Sequence, residues 1–164
     1  PRVAQLLLIP SRVSTSKKIL VVEDNEDCRE LQACVLRRLG YVVIEADNGA
    51  AAIVEALAGH PDLILMDLNM PKMTGEEATE LLKNQPSTRD IPVIICTAYG
   101  PGPRVDRALN AGAVEILHKP FKFSELENLL RKHVPDDQNN GAEGAHPNSG
   151  SISTETSQFP FQAR

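Results

Sequence analysis

Apolar residues gather in five short runs along the chain, at 18–22, 41–46, 62–66, 91–96 and 114–118. Each has the length of a β-strand, and most are bounded by glycine, proline or polar residues. The third and fourth runs are almost uninterrupted, the pattern of strands covered on both faces. The fifth carries Glu115 and reads as an edge strand.

Helical patterns fill the gaps. Residues 25–39 place Cys28, Leu31, Val35 and Leu39 on one face and end at Gly40, a suitable residue just past a helix. Residues 48–58 are alanine-rich and end at Gly59. The segment 74–84 opens with Thr74-x-x-Glu77 and the segment 124–133 with Ser124-x-x-Glu127, both capping boxes. Residues 103–111 start with a proline, tolerated in a first turn, and end at Gly112.

Strands alternating with helices of this length predict a parallel sheet with right-handed crossovers. The expected fold is α/β: a doubly wound, flavodoxin-like three-layer sandwich with five helices and strand order 2-1-3-4-5. Its switch point falls between the first and third strands, and ligands of such folds sit outside the carboxyl ends of the strands there.

The expected domain spans 18–134. Residues 1–17 read as a disordered leader; Leu6-Leu7-Leu8-Ile9 is too short to cross a membrane and leads to no small-residue cleavage site. Residues 135–164 read as a disordered polar tail, rich in Asn, Ser, Gly and Gln, with Phe159-Pro160-Phe161 its one apolar spot. The chain does not begin with Met, so processing or truncation is expected.

Composition excludes some partners. Net charge is −5, aromatics make up 4%, and no basic patch carries interleaved aromatics, so nucleic acid is not an expected partner; neither is a membrane. Cys28, Cys34 and Cys96 form no metal or disulfide spacing, which suits a reducing, cytoplasmic setting. All three are expected in core packing.

The chemistry collects at the strand ends. Glu23 and Asp24 follow the first strand, Asp67 the third, Thr97 the fourth and Lys119 the fifth. The expected topology brings them to one rim. Carboxylates about 4 Å apart at an effective dielectric near 20 repel by roughly 4 kcal/mol. A divalent cation removes that penalty, and an all-oxygen site with room for water suits Mg²⁺. A free oxygen of Asp67 could then act as nucleophile in phosphoryl transfer, with Lys119 and the Thr97 hydroxyl neutralising phosphoryl oxygens. Taken singly, each residue has an ordinary explanation: helix-start acids, a turn aspartate, a capping threonine, a solvated lysine.

Over 18–134 the chain resembles the receiver domain of two-component response regulators. The matching segments are Ile19-Leu20-Val21-Val22-Glu23-Asp24-Asn25, Pro61 through Pro71 with Asp67-Leu68-Asn69 at its centre, Thr97-Ala98, and Ala108 through Ala113 running on to Leu117-His118-Lys119-Pro120-Phe121. The resemblance implies that Asp67 is the phosphoacceptor. It implies that Asp24 and Asp67 ligate Mg²⁺ directly, Glu23 through water, and Asn69 through its main-chain carbonyl. Thr97 would be the switch hydroxyl, with Lys119 as its cationic companion before a cis Pro120. The donor would be a histidine kinase or a histidine phosphotransfer protein. A downstream protein would read the fourth helix, fifth strand and fifth helix. The domain would catalyse only its own phosphorylation and dephosphorylation.

The family often has Tyr or Phe three residues before the lysine; here that residue is Ile116. Tyr99, two residues after Thr97, is the candidate to gate the phosphoryl group instead. Three other functions compete. One is a receiver segment of a larger hybrid histidine kinase. Another is a phosphatase with an aspartyl nucleophile, disfavoured because Asn69 stands where such enzymes carry a second acid. The third is a nucleotide or flavin binder, disfavoured because no Gly-rich phosphate loop follows the first strand.

Overall fold

The computed structural model describes residues 17–135. The expected tail beyond Pro135, and all of the expected leader except Lys17, lie outside the described residues. Within them the chain alternates without exception: β1 (Lys18–Val22), α1 (Glu26–Arg38), β2 (Val42–Ala46), α2 (Gly49–Gly59), β3 (Leu63–Asp67), α3 (Gly75–Asn84), β4 (Val93–Thr97), α4 (Pro103–Asn110), β5 (Glu115–His118) and α5 (Phe123–His133).

All four strand pairings are parallel, in the order β2-β1-β3-β4-β5. This is the doubly wound order expected from the alternation, with β5 at an edge. Strand side chains alternate between two cores. Leu20, Val22, Ile64, Met66, Val93 and Ile95 face one way and pack with Ala52, Ala56, Ala78, Leu82, Val105 and Ala108 of α2, α3 and α4. Ile19, Val21, Leu63, Leu65, Ile94 and Leu117 face the other way, onto Leu36 of α1 and Leu126 and Leu130 of α5. Both faces of β3 and β4 are therefore covered, and all five residues of each strand are buried.

Several local expectations need correction. The buried side of α1 is Gln32, Ala33 and Leu36, whereas Leu31 is 58% exposed. Cys28 and Cys34 are exposed too; only Cys96 is in the core. That side packs Leu36 into the core and also carries polar contacts: Arg29 Nη1 donates to the Glu23 carbonyl oxygen at 2.8 Å, and Gln32 Nε2 reaches the Glu23 carboxylate at 3.4 Å. An apolar stripe counted along the sequence does not register such contacts.

α2 runs through Gly59, and the left-handed residue that ends it is His60, at φ 45°. A Cβ on Gly59 would lie 2.4 Å from the terminal methyl of Ile44 on β2. The capping box of α3 forms as expected, with the Thr74 hydroxyl accepting from Glu77 N–H and the Glu77 carboxylate accepting from Thr74 N–H. The one expected at Ser124 does not. α5 begins earlier, its N-cap is Lys122, and Glu125 accepts from the Lys122 N–H at 3.2 Å. β3 and β4 each reach one residue beyond the expected end, so Asp67 and Thr97 are the last strand residues. No helix among the described residues is long and apolar enough to cross a membrane.

Candidate phosphoacceptor site

The parallel register builds the site. Val22 pairs with Met66 across β1 and β3, so Glu23 and Asp67, each one residue further, come out side by side. Asp67 in turn pairs with Cys96, which sets Thr97 at the end of β4 on the same rim. Lys119 follows β5, and its N–H donates to the Thr97 carbonyl oxygen at 2.8 Å. The Lys119–Pro120 bond is cis.

These side chains line a cleft of about 420 Å³ together with Asp24, Asn69, Ala98 and Tyr99. Glu23, Asp24 and Asp67 offer carboxylate oxygens within 4.8 Å of one another. Glu23 and Asp67 are buried, and the Lys119 ammonium stands between them, 2.5 Å from Glu23 Oε2 and 2.7 Å from Asp67 Oδ1. Burial opposes the lysine's charge, but hydrogen bonds and attraction from Asp67 and Glu23 outweigh it, so its pKa lies above the ordinary lysine value. It stays an ammonium throughout the physiological range.

The second oxygen of Asp67 accepts the Asn69 N–H at 2.6 Å. Each carboxylate oxygen thus takes one hydrogen bond and keeps a lone pair. The Thr97 hydroxyl oxygen accepts from the Tyr99 N–H at 3.1 Å, which leaves its own hydrogen able to donate. Cys96, directly behind the rim, is inert: burial pushes its thiol up to about 12.

All six residues singled out from the sequence (Glu23, Asp24, Asp67, Asn69, Thr97 and Lys119) line this one cleft. The residues that support them carry no sequence motif. Gly75 allows α3 to start against the main chain of Asp67 and Leu68. Arg29 and Gln32 steady Glu23. Arg104 and Glu76, which are 28 residues apart in sequence, pair beside the cleft. The only hint of this pair in the chain was an acid, Glu76, on the inward side of α3.

The chain belongs to the family of response regulator receiver domains, whose model matches residues 19–131. Among curated relatives, the phosphate regulon transcriptional regulatory protein PhoB of Klebsiella pneumoniae is 39% identical over 68% of this chain. The chain spans about half of PhoB's length, 48%. The polar-differentiation response regulator DivK of Brucella ovis is 32% identical over 74% of this chain and 98% of its own. Two solved structures share the fold. Vibrio cholerae CheY4 matches with a TM-score of 0.69 and 28% identity, covering 73% of this chain and all of CheY4. The receiver domain of the Pseudomonas aeruginosa sensor histidine kinase PA1611, solved with magnesium in its active-site cleft, matches with a TM-score of 0.68 and 34% identity, covering 73% of this chain and 98% of that domain.

Proposed function

We propose that this receiver domain takes a phosphoryl group onto Asp67 from a phosphohistidine, on a histidine kinase or a histidine phosphotransfer protein, and passes the signal on through protein contacts. The observation that carries the reading is the Lys119 ammonium bridging two buried carboxylates at the strand ends, beside a third. In that position a fixed cation and an acidic cluster meet at one nucleophilic oxygen.

The residues fit Mg²⁺. The donor set is all oxygen, Asp24 is exposed to solvent, and the cleft has room for water. Asp24 and Asp67 would hold the ion directly, Glu23 through water, and Asn69 through its main-chain carbonyl. When bound, the ion neutralises acidic charge and one phosphoryl oxygen.

The chain's own groups do the rest. An Asp67 oxygen attacks phosphorus; the new O–P bond forms as the P–N bond to the donor imidazole breaks, and that nitrogen keeps the electron pair. Lys119 exchanges its carboxylate partner for a phosphoryl oxygen. The Thr97 hydroxyl donates to another, and the Asn69 N–H is a third donor already in place. Because Ile116 carries no ring to follow the threonine, the response is routed through the β4–α4 loop and Tyr99. Tyr99 also gates access to the phosphoryl group: its hydroxyl donates to Asn69 Oδ1 at 3.3 Å. The downstream partner docks on α4, β5 and α5, where Leu109, Val114 and Phe123 are exposed. The domain's only chemistry is its own loading and unloading, in a cytoplasmic setting. The boundaries 18–134 belong to the same reading.

A second reading makes this the receiver segment of a larger hybrid histidine kinase. Its support is the likeness to the PA1611 receiver.

The test is intact mass after incubation with acetyl phosphate and Mg²⁺. A single phosphoryl adduct, lost in Asp67→Asn and without metal, is the expected result. Absence of any adduct, with a histidine kinase tried as well, overturns the proposal.

A further inference from the structure

A second set of groups converges on the loop that follows Asp67. Glu76, in the first turn of α3, is an acid only 8% exposed. Its carboxylate accepts from Arg104 Nε at 3.1 Å and Nη2 at 3.4 Å, and Arg107 Nη2 stands 3.6 Å away. Both arginines belong to α4. A carboxylate this buried is costly without such partners, so the pair ties the start of α4 to the start of α3.

Arg104 does more than neutralise Glu76. Its Nη2 also donates to the Leu68 carbonyl oxygen at 3.3 Å, and Nη1 reaches Asn69 Oδ1 at 3.5 Å. Its guanidinium lies 4.7 Å above the centre of the Tyr99 ring. The Tyr99 hydroxyl shares the same Asn69 oxygen. Tyr99 is fixed from behind as well, by its N–H on the Thr97 hydroxyl and by His118 Nδ1 donating to its carbonyl oxygen at 3.0 Å. Tyr99 and Asn69 therefore form a bar across one side of the cleft, and Arg104 clamps both its halves.

We propose that Arg104, anchored by Glu76, is a positioning residue that keeps the Tyr99–Asn69 bar closed over Asp67 and so prolongs the life of its phosphoryl group. The inference rests on the reading of Asp67 as phosphoacceptor. Unloading is hydrolysis: a water oxygen attacks phosphorus, the O–P bond to Asp67 breaks, and its electron pair returns to the carboxylate. Inorganic phosphate leaves and a proton passes to solvent. Arg104 touches none of the reacting atoms. It acts by holding the two side chains that limit the approach of that water.

The experiment loads the protein with acetyl phosphate and Mg²⁺, removes the donor and follows loss of the adduct by intact mass. Arg104→Ala and Glu76→Gln should lose it about tenfold faster than wild type, the effect of one charge-assisted hydrogen bond. Arg104→Lys, which keeps the charge without the fork or the stacking, should fall between. The double variant Tyr99→Ala with Arg104→Ala should decay less fast than the two single effects multiplied, since the part of Arg104's hold that runs through the ring is lost in both. Glu76→Leu separates anchoring from folding: it fills the buried position, and should decay quickly while unfolding in urea no earlier than Glu76→Gln. Wild-type decay in Arg104→Ala, or additive rates in the double variant, overturns the inference and leaves Asp67's role standing. A wild-type protein that never loads overturns both.

Discussion

A Cβ placed on Gly75 would lie 2.2 Å from the main-chain carbonyl oxygen of Asp67 and 2.9 Å from Leu68 Cα. The first turn of α3 thus rests directly on the backbone that carries the proposed phosphoacceptor, and the Gly75 N–H donates to the Leu68 carbonyl oxygen at 3.1 Å. The carboxylate of Asp67 is held by Asn69 and Lys119, but its main chain is held by a helix start that only glycine permits.

Gly75→Ala should therefore destabilise the domain by about 3 kcal/mol or more, the upper end of overpacking costs, because the atoms met are backbone and cannot rotate away. Urea unfolding measures the loss. Loading of Asp67 by acetyl phosphate should slow in the same variant, because the strand end must shift.

Lys119→Met removes the cation between Glu23 and Asp67. Two buried carboxylates then face each other with no cation between them, and stability without metal should fall by about 3 kcal/mol, the low end for a broken buried pair because Lys119 is partly exposed. Adding Mg²⁺ should raise Tm more in Lys119→Met than in wild type, because no ammonium competes for the acids. Equal Mg²⁺ responses would contradict the ion-pair geometry.

Glu76 makes stability depend on pH on the acid side. Burial favours the neutral acid, but hydrogen bonds led by Arg104 prevail and hold its pKa below the ordinary 4.5. A carboxyl lowered by folding contributes stability in full above its unfolded value and loses it as pH falls through the folded one. The advantage of wild type over Glu76→Gln should be constant at neutral pH, shrink below the ordinary value of 4.5 and vanish in stronger acid. Thermal melts of the two proteins across pH 7 to about pH 3 check this.

Two neighbouring residues at the end of α2 test the backbone there. His60 holds φ 45°, and replacing it with glycine relieves left-handed strain of about 1 kcal/mol, partly offset by the looser unfolded chain. His60→Gly should raise the urea midpoint slightly. Gly59→Ala should not lower it, since its Cβ would meet only the terminal methyl of Ile44, which can rotate away, and alanine suits a helix better than glycine.

The resemblance at the motifs and the rim were both legible in the chain. Each of the six rim residues lies at or just after a strand end, and in a doubly wound sheet that position alone predicts a shared cleft. The alternation of apolar runs and capped helices likewise specified order, layers and edge, because parallel strands need covered faces and right-handed returns. Errors arose where a single residue type has two uses. Gly59 has the form of a helix stop, yet α2 runs through it and the left-handed residue is His60. Ser124 has the form of a cap, yet the chain turns into α5 at Lys122. The stripe expected on α1 leaves Leu31 exposed, because the side that meets the sheet is Gln32, Ala33 and Leu36.

By itself, then, the chain determined which side chains reach the rim of the sheet and what chemistry they can share, because both follow from local pattern and a small menu of topologies. Only the tertiary structure decided what holds that rim: Gly75 under Asp67, Arg29 and Gln32 on Glu23, and Arg104 between Glu76, Asn69 and Tyr99. These are contacts between residues distant in sequence. Their strength depends on burial and on distances of a few ångströms, and no periodicity along the chain encodes either.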